Sequence, residues 1–223
     1  MSSLEELCLD FVNRNTPIID VIPFNNQLNL PSSEDIQKTF KNFQSNQVIS
    51  FIDYFPKANE FHCYIYSYPY IWTDYNNITN NFRGGLFESV LKISLVDERP
   101  FEYEFFLQIA KSFPFIQQLH VHNREQQKND TQQWSIIEYS HLTHINLVQT
   151  HENYLEQFLN NTKMSLLNSI NLRVDYNALQ RVIDNFTSDV TRMNCSKIEC
   201  LISYNEPEIS LDLKDYFSHA KIS

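Results

Sequence analysis

Glycine is nearly missing from this chain: among 223 residues there are two, Gly84 and Gly85, adjacent in "NNFRGGLFESV". GxGxxG, GxxxxGK[ST] and GxSxG therefore cannot be written anywhere, which removes the sequence support for dinucleotide folds, P-loop enzymes and α/β-hydrolases. The pair itself reads as a tight turn that delivers the chain into a strand beginning near Val90, since glycine takes positive φ without steric cost. Cysteine is also sparse. Cys8, Cys63, Cys195 and Cys200 form no CxxC pair and are too scattered for a disulfide framework, so buried thiols in a reducing compartment are expected. Sequons at Asn77, Asn129, Asn160, Asn185 and Asn194 carry no weight in an Asn-rich chain without a secretory signal.

Positive charge is in deficit as well. Seventeen Lys and Arg stand against 27 Asp and Glu, a formal net charge of −10. Affinity for phosphate backbones and anionic lipid comes mainly from basic residues, so neither nucleic acid nor a membrane surface is an expected partner. The first residues carry Glu5, Glu6 and Asp10 where a signal peptide would be basic, and no apolar run reaches the length of a membrane span. A cytoplasmic or nuclear location is the expectation. At 42% hydrophobic and 20% charged, the composition is that of a globular chain of one or two domains.

What is present is a repeat. In "HLTHINLVQTHENYLEQFL", Leu142, Ile145 and Leu147 read as a short strand with one apolar edge. Tyr154, Leu155, Phe158 and Leu159 then recur at helical spacing. The same L-x-x-L-x-L spacing occurs at Val90, Ile93 and Leu95; at Ile116, Leu119 and Val121; at Leu167, Ile170 and Leu172; and at Cys195, Ile198 and Cys200. The central residues Ile93, Leu119, Ile145, Ile170 and Ile198 stand 26, 26, 25 and 28 positions apart. Between strands the helical rhythm returns, with Phe101, Phe105, Phe106, Ile109 and Phe113 on one face and Leu179, Val182, Ile183, Phe186 and Val190 on another. The polar run "REQQKNDTQQW" takes the helix's place in the second repeat and reads as a surface loop.

One strand–helix unit cannot bury its own apolar edge, whereas stacked units share a continuous core. The expected fold class is thus α/β: a leucine-rich-repeat-like curved solenoid with a parallel sheet on one side and helices on the other, spanning residues 60–223 as one continuous domain. A doubly wound sheet is the competing architecture. It would bury both faces and show near-continuous apolar strands, but here Lys92, Ser94, His120, His144, Asn146, Asn171, Arg173 and Glu199 hold the alternate positions. Residues 1–59 are expected to be an irregular repeat-like segment. It has a strand pattern at Leu4, Leu7 and Leu9 with no polar cap before it, as in a chain cut from something longer, and a helix through Ile36, Phe40 and Phe43. "QVISFIDYF" and "EFHCYIYSY" read as a hairpin or irregular pairing, and Tyr64, Tyr66, Tyr68, Tyr70 and Trp72 give one aromatic face, expected in a core.

Short degenerate strand–helix repeats of this length characterise leucine-rich-repeat proteins. The stretch from "NNFRGGLFESVLKISLVDERPFEYEFFLQIAKSFPFIQQLHV" through "SIIEYSHLTHINLVQTHENYLEQFLNNTK" to "VDYNALQRVIDNFTSDVTRMNCSKI" resembles the carboxy-terminal repeats of F-box/leucine-rich-repeat proteins, over about residues 60 to 204. The resemblance implies the substrate-recognition half of an SCF-type ubiquitin ligase receptor, whose partner is a protein and whose ligase core is reached only through an F-box. No segment here resembles that F-box; the only Leu-Pro, Leu30-Pro31, runs into Ser-Ser-Glu-Asp. The Asn or Cys that follows the core motif in the family, bonding the turn backbone, is replaced by Glu98, Arg124, Thr150 and Asp175.

The expected partner-binding surface is the open sheet face: Lys92, Ser94, Gln118, His120, His122, His144, Asn146, Asn171 and Arg173. Equal repeat positions on parallel strands lie about 4.8 Å apart. Lys92, Gln118, His144 and Ser169 are thus expected in one row, with Ser94, His120, Asn146 and Asn171 in the next. No catalytic residue, metal or cofactor is expected. The alternatives are a scaffold without a ligase link, or a metal-dependent hydrolase using His120, His122 and His144, with His141 nearby. Zinc needs three or four ligands at about 2 Å and a second shell to orient them, and no carboxylate holds a matching strand position. The acids Asp97, Glu98, Glu102 and Glu104 suit a helix N-terminus better than a catalytic pair, which requires an enclosing pocket.

Overall fold

The computed structural model describes residues 18–23, 47–68, 70–128, 135–183, 187–205 and 211–223. The expected strand at Leu4–Leu9, the helix through Phe40 and the helical position Phe186 lie outside them. Two compact units divide the chain, Met1–Trp72 and Thr73–Ser223.

In the first unit, β1 (Ile18–Pro23), β2 (Gln47–Phe55) and β3 (Glu60–Tyr68) form an antiparallel sheet of order β1-β3-β2. The hairpin anticipated from "QVISFIDYF" and "EFHCYIYSY" is present, with Phe55 opposite Glu60 and Gln47 opposite Tyr68. Asn59 takes φ 55° in the connecting turn, a conformation Asn tolerates better than most residues. Tyr64, Tyr66 and Tyr70 are buried, as the alternating aromatic face suggested. Strand β3 thus pairs antiparallel inside this unit, and the first parallel strand of the repeat region comes after residue 72.

The second unit runs β4 (Asp74–Ile78), β5 (Lys92–Val96), α1 (Tyr103–Ser112), β6 (Gln118–Asn123), β7 (Ile137–Tyr139), β8 (His144–Thr150), α2 (Glu152–Leu159), β9 (Met164–Leu166), β10 (Ile170–Asp175), α3 (Tyr176–Val182), α4 (Asp189–Cys195), β11 (Ile198–Tyr204), α5 (Leu211–Tyr216) and β12 (Lys221–Ile222). Seven strands form one sheet of order β12-β11-β10-β8-β6-β5-β4, and every neighbouring pair in it is parallel. The strands follow one another in chain order across the sheet. Because parallel crossovers are right-handed, a chain that always steps in the same direction puts its connections on one face. A doubly wound sheet reverses its direction midway. The result is a mixed α/β unit with a parallel sheet and no closed barrel.

Burial follows the alternation. Ile93, Leu95, Leu119, Val121, Ile145, Leu147, Leu172 and Val174 are at most 3% exposed and form the sheet's inner row. Phe101, Phe106, Ile109 and Phe113 from the α1 region are fully covered, and so are Tyr154 and Phe158 of α2. Rings interlock edge-to-face between them, as with Phe106 and Phe158 at 5.6 Å. At about 1.5–3 kcal/mol per buried large apolar side chain, this shared core is the main stabilising term. Gly84 and Gly85 take positive φ, 81° and 140°, but the tight turns lie on either side of them, where the Phe82 amide donates to the Thr79 carbonyl and the Val90 amide to the Phe87 carbonyl. A Cβ on Gly85 would stand 2.8 Å from the Phe87 ring.

Several expected positions move. Leu167 is 48% exposed, and Leu166 in β9 takes the buried place instead. Cys200 is only half-buried: a register shift between Ile170 and Asn171 sets Cys200 opposite Asn171 and brings Leu201, fully buried, opposite Leu172. Val190 is 48% exposed rather than part of a helical core face. The polar run after β6 leads to a strand that periodicity did not suggest. β7 pairs in parallel with β9 as a separate two-stranded sheet, and the buried Tyr139 hydroxyl donates to the Phe106 carbonyl of α1 at 3.0 Å.

The turns after the strands are stitched by side chains one place earlier than Glu98 and Arg124. Asp97 accepts from the amides of Asn80 (2.8 Å) and Arg99 (2.9 Å). Asn123, 2% exposed, donates to the Arg99 carbonyl at 2.7 Å and accepts from the Glu125 amide at 2.9 Å. Asp175 caps α3 through the Ala178 amide and also accepts from Asn205 at 2.6 Å. Apart from the side-chain bond from Asn205, each satisfies a backbone group that a turn or helix start leaves unpaired.

Candidate interaction surface

The alternate residues of β5, β6, β8 and β10 form the sheet's outer face. Strand pairing sets Lys92 opposite Gln118, Gln118 opposite His144, and His144 opposite Asn171. The next row is Ser94, His120, Asn146 and Arg173. The expected rows hold through β8 and then slip by two residues. Asn171 takes the place assigned to Ser169, and Arg173 the place assigned to Asn171. The number of residues between β8 and β10 does not reveal this, because the intervening chain spends part of its length on β9. His122 lies opposite Gln149, after a register shift in the β6–β8 pair.

His144 is held on both sides. Asn171 Nδ2 lies 3.0 Å from Nε2, and Thr143 Oγ1 lies 2.9 Å from Nδ1. Thr143 in turn donates to the Gln117 carbonyl at 3.2 Å. A single donor direction satisfies all three bonds: the Asn171 amide donates to Nε2, and a protonated Nδ1 donates to Thr143. His120 is neutralised more readily than an ordinary histidine. Partial burial disfavours its charged form, and Lys92, His122, Arg173 and His144 around it act in the same direction.

Ser94 and Asn146 are occupied locally. Ser94 Oγ accepts from the Asn77 amide at 2.8 Å, at the irregularity in β4 where Asn77 takes positive φ, and Asn146 Oδ1 accepts from the Val148 amide at 3.2 Å. Lys92 lies 3.8 Å from Asp74 in an exposed pair worth little. Arg173 is exposed and makes no ion pair among the described residues.

The histidines do not converge. No group of three His, Cys, Asp or Glu side chains among the described residues is placed to hold a metal ion. His144 has both ring nitrogens engaged, and His141 sits in the turn before β8 with its ring 5.4 Å from Phe115. The acids around Asp97 serve the backbone: Asp97 as above, and Glu102 by accepting from the Lys128 amide. No helix among the described residues is long and apolar enough to cross a membrane.

At the carboxyl ends of β6, β8 and β10 an open cleft of about 510 Å³ is bounded by Arg124, Thr150, His151, Glu152, Asp175 and Arg181. Arg124, Thr150 and Asp175 follow the strand cores of successive repeats, and the parallel strands bring them to one edge of the sheet. Glu152 is paired with Arg181 at 2.5 Å, and His151 Nδ1 accepts from the Asn153 amide at 3.3 Å, capping α2.

No family model, curated protein or solved structure matches the chain.

Proposed function

We propose that this chain is a protein-interaction module and not an enzyme: a curved leucine-rich-repeat solenoid whose outer sheet face receives another protein. On the likeness of its repeats, it would serve as the substrate-recognition region of an SCF-type ubiquitin ligase receptor. Attachment to the ligase core would require an F-box that these residues do not contain. The observation that carries the reading is the asymmetry of the seven-stranded sheet. One face is fully buried, while the other aligns polar and charged side chains in register across four consecutive strands and leaves them partly exposed. Interfaces concentrate their energy in a few central residues, and repeat proteins present them on the sheet surface.

Replacing His120, His144, Asn146 and Arg173 together with Ala is expected to abolish capture of a protein partner from lysate while circular dichroism and melting stay near the parent. The control set, Glu104, Lys111 and Asn177, is exposed on α1 and α3. Loss of capture with the helix-side set and retention with the sheet-side set would overturn the assignment of the face.

A further inference from the structure

The outer face has no net charge to offer a partner. Lys92 is answered by Asp74 on the neighbouring strand, and Arg173 stands between Asp175, two residues on, and Glu199 of β11. The rows between them present neutral hydrogen-bonding groups, so recognition falls to the direction of individual bonds. Ser94 Oγ and Asn146 Oδ1 already accept from backbone amides. Asn171 is different. Its Nδ2 lies 3.0 Å from His144 Nε2, while its Oδ1 has no partner among the described residues and is open to solvent. His144 decides which end of this amide faces outward. Its Nδ1 lies 2.9 Å from the Thr143 hydroxyl, which donates to the Gln117 carbonyl, so Nδ1 carries the proton and Nε2 accepts from Asn171. A second proton on the ring can go only to Nε2. There it meets the Asn171 amino group, donor against donor, and half a turn of the amide restores a bond by setting Oδ1 against Nε2–H.

Resting on the reading of this face as a protein-docking surface, we propose that Asn171 and His144 form a proton-operated donor–acceptor switch. With the ring neutral, Asn171 Oδ1 receives a hydrogen-bond donor of the partner; protonation of His144 turns the amide over, presents Nδ2 in its place and releases the partner. In the free chain His144 is exposed, so water satisfies whichever end of the amide faces out and the rotation costs little. Under a bound partner that water is gone, and a donor facing a donor stays unpaired. Binding is therefore linked to loss of a proton: affinity is full with the ring neutral and falls as acidification charges it. The charged and titratable groups on the surrounding elements are Asp74 on β4, Lys92 on β5, His120 and His122 on β6, His141 in the turn before β8, Arg173 and Asp175 on β10, and Glu199 on β11. None of them hydrogen-bonds to the ring nitrogens, which leaves Thr143 and Asn171 to govern where the ring holds its protons.

The amide rotation is read in the chain itself, by NMR of isotope-labelled protein between about pH 8 and about pH 5. At the upper end the His144 ring is expected in the Nδ1–H tautomer with a resolvable coupling between Asn171 Nδ2 and Nε2, and the coupling is expected to vanish as the ring takes its second proton. Asn171→Ala is expected to return the neutral ring to a mixture of tautomers. An Nε2–H ring at the upper end, or the same tautomer mixture in parent and Asn171→Ala, would overturn the switch. Release is read by passing lysate over the immobilised chain and weighing the retained protein at about pH 7.5 and about pH 5.5. The parent is expected to retain about tenfold less at the lower pH. Asn171→Asp, which presents an oxygen at either pH, is expected to retain similar amounts at both, while His120→Gln keeps the loss seen in the parent. Melting at both pH values separates lost binding from lost folding. Equal loss from parent and Asn171→Asp, or no loss from the parent, would overturn the coupling of rotation to release. If neither pH retains any protein, the docking reading fails and release with it, whereas the rotation is decided by the tautomer measurement alone.

Discussion

Asn194 offers the sharpest test of the packing on the helix side. Its side chain, 2% exposed near the end of α4, donates to the carbonyls of Phe158 (3.1 Å) and Met164 (2.7 Å) and accepts from the Leu166 amide (3.2 Å). It thereby ties α4 to the end of α2 and to both ends of β9. Asn194→Ala leaves three buried backbone groups without a partner. Each orphaned group costs about 1–3 kcal/mol, and a water entering the vacated space recovers part of that. The expected loss is about 3 kcal/mol, or roughly 6–12 °C in melting temperature for a unit of this size. Asn194→Asp separates hydrogen bonding from volume. It keeps the acceptor for Leu166 but turns a carboxylate oxygen toward two carbonyls, so near neutral pH it is expected to be less stable than Asn194→Ala. The buried carboxyl would titrate above its unfolded value of about 3.9. Its penalty is then full above the folded pKa and shrinks as pH falls toward the unfolded one. Urea titrations of parent and both variants at several pH values measure this. An alanine variant within about 1 kcal/mol of the parent, or an aspartate variant whose deficit does not shrink on acidification, would refute the reasoning.

Ile145→Asp places a carboxylate in the inner row, where Ile145 is 2% exposed. Desolvation costs several kcal/mol beyond the lost apolar burial, and no cooperative melt is expected at room temperature; a transition within a few degrees of the parent would contradict the strand assignment. Burial pushes the Cys195 thiol up to about 12. Iodoacetamide near pH 8 should therefore leave Cys195 unmodified in the folded protein and label it in urea, as peptide mass mapping would show; labelling of the folded protein at the unfolded rate would contradict its burial. His120 titrates below its unfolded value. Stability then falls as pH drops from about 6.5 through the folded pKa, and His120→Gln should flatten that part of the pH profile; an unchanged slope would show that His120 does not contribute.

Local pattern was enough to place β5, β6 and β8, the buried faces of α1 and α2, the β2–β3 hairpin and the outward side of Lys92, His120 and His144. Alternation and helical spacing are properties of a few neighbouring residues, and burial of one face enforces them. A sheet with one apolar face followed from the same signal. Register did not. The slip that sets Asn171 beside His144, and the shift that puts Leu201 rather than Cys200 into the core, depend on how much chain the connections consume and on irregular pairing. Neither leaves a mark on spacing. Polar anchoring was equally hidden: Asn194 stood out only as a sequon, and Asn123 not at all, because a side chain that satisfies distant backbone groups has no periodic signature. The make-up of the outer face belongs with these. Lys92, His120, His144, Asn171 and Arg173 are scattered through the sequence, and only the parallel stacking of strands in their actual register gathers them on one surface.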